Sequence, residues 1–139
     1  MTRETKISNV DKGDSAKYKA LAISFYEAAK DEQYSERWNA AGILIVHSAI
    51  AFADAVAIKE AGQKSTSENH QDVVKLLERV IAHTETRSNA LSQLEKLIAH
   101  KTTVSYSGQL YDEQDIEKLI KHLERFKTWA LKQLGDELV

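Results

Sequence analysis

The stretch Trp38–Ala61, WNAAGILIVHSAIAFADAVAIKEA, constrains the fold more than any other part of the chain, because residues 40–58 are apolar or small on nearly every side. A surface helix carries one apolar stripe. A helix that is apolar all round needs other helices packed about it, so this segment is expected at the centre of a bundle. His47 and Asp54 interrupt the run, which leaves its uninterrupted apolar stretch short of the roughly 20 residues that cross a bilayer. Its alanines and Gly42 permit close approach by neighbours. Ile43, Ile45, Val46, Ile50, Phe52, Val56 and Ile58 supply the driving area, about 1.5–3 kcal/mol for each large side chain removed from water.

The remaining helices follow from spacing. Asp14 or Ser15 can cap a first helix in which Tyr18, Leu21, Ala22, Phe25 and Ala29 recur at helical intervals, ending near Asp31. Gly62 ends the central helix, and the polar residues 63–69 read as an exposed loop. Ser67 is the expected cap of a third helix carrying Val73, Val74, Leu77, Val80 and Ile81, with Glu68 and Asp72 near its positive end. A fourth helix places Leu91, Leu94, Leu97 and Ile98 inward and is expected to fail where Thr102, Thr103 and Val104 bring β-branched side chains. From Asp112 a fifth helix keeps Ile116, Leu119, Ile120, Leu123, Phe126, Ala130 and Leu134 on one face, with Gly135 at its end. Residues 1–13 show no usable period and read as a flexible arm, leaving 14–139 as one domain.

The predicted fold class is therefore all-α, an up-and-down bundle of about five helices. Composition agrees: 139 residues make one domain, and proline is absent from a chain rich in Ala, Leu, Lys and Glu. The chain has no cysteine, which removes thiolate metal sites and fits a reducing cytoplasm. No secretory signal opens the sequence, so a cytoplasmic protein without a membrane span is expected. A net charge of -2 argues against a general nucleic-acid binder, while a local basic patch can still hold a phosphate.

The order of these segments carries a resemblance. YSERWNAAGILIVHSAIAFADAVAIKEAG, then SENHQDVVKLL, then a helix running into KTTVSY, then EKLIKHLERFKTWALKQL resembles the HEPN superfamily of helical domains over residues 16–134. The matching features are the Asp54-Ala55 step in an Ala-rich second helix, the glycine that ends it, His70 near the start of the third helix, and Lys101 five residues before Tyr106. The resemblance implies a helical domain that dimerises, and in the ribonuclease members an arginine followed, after about four to six intervening residues, by a histidine where the fourth helix ends, two such motifs meeting across a homodimer to cleave RNA. Here lysine stands for the arginine and tyrosine for the histidine. Arg79 and His83 are too close together and lie on the third helix.

That departure changes the chemistry. Histidine moves protons near neutrality, whereas tyrosine, with a reference pKa of about 10, stays protonated and donates hydrogen bonds. Lys101 and Tyr106 are thus suited to bind a phosphate rather than to cleave at it. Lys101 continues the stripe of Leu94, Leu97 and Ile98, so its ammonium faces a groove in need of a partner or lies in a frayed last turn with its head in solvent. Asp54, a carboxylate in an apolar helix, is the natural partner, and His47 lies two turns earlier on the same face. With His70 and Tyr106 these residues either line a cleft for an anion or form a polar cluster that fixes packing.

No metal is expected, since no two histidines stand four apart and no Cys-His set exists. No cofactor loop or nucleophile elbow appears either. Trp129 and Leu131 lie off the main stripe of the last helix and are the expected dimer contact. The functional expectation is a non-catalytic binding module. The resemblance implies a homodimer, a small nucleotidyltransferase as protein partner, and a nucleotide or RNA as ligand. The alternative is a divergent, toxin-like ribonuclease that uses residues 101–106.

Overall fold

The computed structural model describes residues 6–66 and 69–135. Six helices follow in order: α1 Ser15–Tyr34, α2 Trp38–Ala61, α3 Gln71–Val80, α4 Glu85–Ile98, α5 Lys101–Tyr106 and α6 Glu113–Gln133. Five are long and α5 is a short addition, so the all-α bundle holds. Helix α2 is its axis. Every residue from Ser48 to Ile58 is buried, Phe52 completely, and α1, α3, α4, α5 and α6 all pack on it. By length and hydropathy α2 meets what a bilayer span requires, despite His47 and Asp54; 83% of its most apolar window is buried inside the bundle.

Helix α1 packs on α2 along a seam of small residues. Ser15, Ala22 and Ala29 are the buried residues of α1, each seven apart. Opposite them on α2, Ala41, Ser48 and Ala55 have the same spacing and are also buried. Ser15 donates to the Ala55 carbonyl at 2.8 Å and Ser48 to the Ala22 carbonyl at 2.8 Å, so two hydroxyls bind the opposite backbone within the seam. Phenolic Tyr26, on one flank of α1, donates to Glu124 of α6 and lies 4.1 Å from the Lys127 ammonium, measured to its ring centroid. The other flank, with Leu21 44% exposed, is more open.

The chain departs from the sequence expectation in several places. Helix α1 runs to Tyr34, and the turn to α2 occupies residues 35–37, with Glu36 at φ 60°. The expected arm and the expected 63–69 loop are partly ordered together: β1 Ile7–Asn9 and β2 Gln63–Ser65 form an antiparallel pair, with Ser8 opposite Lys64. Gly62, at φ 62°, turns the chain back after α2 so that residue 63 onward meets the N-terminal segment, and Val10 N–H donates to the Gly62 carbonyl at 2.7 Å. A two-stranded ribbon this polar shows no alternation of apolar and polar residues, so its sequence reads as loop. The expected caps Ser67 and Glu68 lie outside the described residues; His70 occupies the position before α3 and Asn69 accepts from Gln71 N–H at 3.1 Å.

The break expected at the β-branched residues 102–104 falls earlier, at residues 99–100, and those residues form α5 instead. Tertiary contacts override the local preference. Val104 is buried against Gly42 of α2, where a Cβ would lie 2.7 Å from its Cγ2. Asn39 of α2 holds the following loop by donating to the carbonyls of Val104 at 3.2 Å and Gln109 at 2.9 Å and accepting from Tyr111 N–H at 2.8 Å. Asp112 then caps α6 through a capping box with Asp115, as its sequence position suggests.

Trp129 and Leu131 are a further correction. Each is only 7% exposed, and both belong to the core. Helix α6 packs against both α2 and α4, so it buries a wider arc than the single stripe traced in the sequence, and neither residue is left over for a dimer contact.

Candidate functional site

Helix α2 has one line less deeply buried than the rest: Ile43, His47, Ile50 and Asp54, three or four residues apart. Ile43 is half-buried, His47 is exposed, and Ile50 and Asp54 are 8% and 7% exposed. Around this line other elements deliver polar side chains. Helix α5, seated on Gly42, brings Lys101 at its first residue, and the start of α3 brings His70. Strand β2 brings Lys64, whose ammonium lies 5.8 Å from the ring centroid of Tyr18 on α1. Phe25 of α1 completes the surround, its ring centroid 5.8 Å from that of His47.

The electrostatics show which of these groups act on one another. Burial lowers the His47 pKa from its usual value, and the nearby Lys101 ammonium lowers it further. His70 is lowered by burial first, then by Lys101, His47 and Lys64. Both imidazoles therefore favour the neutral form, first because burial penalises the charged one and then because a charge there would be repelled by the nearby lysines. Asp54 moves the other way. Burial pushes its carboxyl up to about 7, against the opposing pull of Lys64. The site thus sets Lys101 near His47 and His70, and Lys64 near His70 and Asp54, a carboxyl whose charge is itself suppressed.

Four of the five side chains named from the sequence, His47, Asp54, His70 and Lys101, belong to this arrangement. Tyr106 does not. It is 83% exposed, its side chain makes no hydrogen bond, ion pair or ring contact among the described residues, and it lies about 140° around the helix from Lys101. The expected Asp54–Lys101 pair is also not formed; Lys64 is the cation that acts on Asp54, and no hydrogen bond reaches its carboxyl among the described residues. Lys64 was missed because its stretch reads as loop. The available signal was Gly62, which as a helix-ending residue in the left-handed region sends the next residues back along the helix they leave.

Chemically, the cluster is suited to an anion. An entering phosphate would meet two ammonium groups and two imidazoles able to take up protons, while Asp54 can become neutral. Among the described residues no three His, Asp or Glu side chains gather as a metal site would need. The HEPN domain family model matches residues 16–134. No curated protein and no solved structure shows a significant match to the chain.

Proposed function

The chain belongs to the HEPN domain family, and from that premise we propose that it is a binding module holding a phosphate-bearing ligand, a nucleotide or a stretch of RNA, on the face where α2, α3, β2 and α5 meet. The observation that carries this reading is the set of interactions that link His47, Lys64, His70 and Lys101, drawn from four separate elements, with Asp54 the one carboxyl among the described residues that they include. With both imidazoles neutral and the Asp54 charge suppressed, the two ammonium groups leave the site with a positive excess that an anion relieves. The exposed position of Tyr106 supports association rather than cleavage at residues 101–106.

Titration with AMP and with a short single-stranded RNA tests the proposal. Lys64→Gln and Lys101→Gln should each weaken binding about tenfold, the loss of one charge-assisted contact, and Tyr106→Phe should leave it unchanged. Equal affinity in the lysine variants would overturn it. A second reading rests on the two imidazoles, because neutral histidines beside a lysine are chemically equipped for proton transfer. It requires RNA cleavage in the presence of a chelator that His47→Ala and His70→Ala each abolish.

Association with a second copy, or with a nucleotidyltransferase-type partner, belongs to the same proposal. The surface that supports it is the open flank of α1, where Leu21 is 44% exposed beside Phe25. Leu21→Glu should then lower the sedimentation coefficient of the purified protein toward that of a monomer.

A further inference from the structure

A second concave site lies away from the basic cluster, between α4 and α6. It is a pocket of about 330 Å³ with Ala90 and Trp129 in its wall. Asn89 and Gln93 of α4 line it, with Arg125 and Lys132 of α6. Gln93 accepts from His122 Nδ1 through its side-chain oxygen, which leaves its amide N–H groups as donors. The Arg125 guanidinium and the Lys132 ammonium make no ion pair or hydrogen bond among the described residues, and no acidic residue among them lines the pocket. Its polar lining is therefore rich in donors and cations. The part of Trp129 that the core leaves open is small, and the Phe126 ring packs behind it, 5.7 Å away between centroids.

We propose that the α4–α6 pocket binds a small organic anion, a carboxylate or phosphate carried on a planar apolar body, with Arg125 and Lys132 meeting the charge and Trp129 the ring. Size agrees with this assignment: an apolar cavity of about 150 Å³ holds a benzene, so the present volume accommodates a bicyclic ring together with its anionic group. A guanidinium and an ammonium group without acidic partners among the described residues are open to solvent, and a ligand anion gives them a counter-charge. Trp129 is only 7% exposed, so it adds a small apolar patch beside Ala90 rather than a full ring face. The site is independent of the proposed phosphate face, shares no residue with it, and stands or falls separately.

The test follows the indole N–H resonance of Trp129 by NMR in the Trp38→Phe variant, where it is the one indole left of two. The probe is 2-naphthoate, and its neutral isostere 2-naphthamide is the comparison. The inference expects a saturable shift with a Kd below about 1 mM, weakened about tenfold for the amide and about tenfold again in an Arg125→Gln, Lys132→Gln protein. Both side chains are exposed, so that protein should keep its thermal unfolding midpoint. Asn89→Phe, which plugs the pocket from an exposed position, should abolish the shift while the fold stays intact. The absence of a saturable shift, equal binding of acid and amide, or unchanged binding in the Asn89→Phe protein each overturns the inference.

Discussion

The Ser48 hydroxyl donates to the carbonyl of Ala22 across 2.8 Å, one helix backbone held directly by a side chain of the other. Together with the Ser15 contact to Ala55, it marks a line on which no side chain longer than serine separates α1 from α2. Close approach of this kind leaves no room for growth. Ala22→Leu is expected to cost about 1–3 kcal/mol or more by overpacking, whereas Leu21→Ala, one residue along and 44% exposed, should stay within about 0.5 kcal/mol. Urea denaturation of the two variants distinguishes them; equal effects would mean that the seam is not tightly packed.

Gly42 fixes the seat of α5 and with it the position of Lys101. A methyl group there would stand 2.7 Å from Val104 Cγ2, too close for either atom to remain in place. Gly42→Ala is expected to lose about 1–3 kcal/mol of stability through this overlap, less the fraction of a kcal/mol that alanine gains in a helix. It should also weaken AMP binding, because the displaced helix carries a lysine of the site. A variant that binds as the parent does would separate α5 from the ligand face.

Asp54 gives a pH dependence of defined sign. Its folded-state pKa is raised from 3.8 to about 7 by burial, so between those values the folded protein keeps a proton that the unfolded chain has released. Stability from this residue is accordingly present at acid pH and lost as pH rises through that window. Asp54→Asn removes the penalty. It should stabilise the protein by up to about 4 kcal/mol at pH 8 and by almost nothing near pH 4, as measured by urea denaturation at the two pH values. Destabilisation at pH 8 would show that the ionised carboxyl has a partner in the fold.

The histidines set a second dependence, this time on binding. His47 and His70 are held below their usual pKa, and a bound phosphate would raise both by supplying the opposite charge. Binding should then take up protons and tighten as pH falls from about 8 to 6, the range over which an ordinary histidine near 6.5 becomes charged. Protonation of Asp54 acts in the same direction. Calorimetry of AMP binding in buffers of different ionisation enthalpy measures the uptake, and His47→Gln with His70→Gln should flatten the profile. A profile that does not change with these substitutions would remove the imidazoles from the site.

The sequence by itself determined the helices and their order, because helix formation, capping and the need to bury an apolar segment are written in residues close together along the chain. Asp112 caps α6, Gly62 and Gly135 stand at helix ends in the left-handed region, and the apolar run about Phe52 lies at the centre, each by a local rule. Only the tertiary structure decided which side chains meet. Trp129 and Leu131 turn inward because α6 is covered from two sides, a matter of how many neighbours a helix has rather than of its own period. Lys64 reaches Asp54 and His70 because a glycine at φ 62° reverses the chain onto the N-terminal strand, and Tyr106 is carried away because Val104, not Lys101, is the residue that α5 buries against Gly42. Such meetings depend on the distance and rotation at which whole elements pack, and these are fixed by contacts between residues far apart in sequence, as the Asn39 bonds to residues 104, 109 and 111 are.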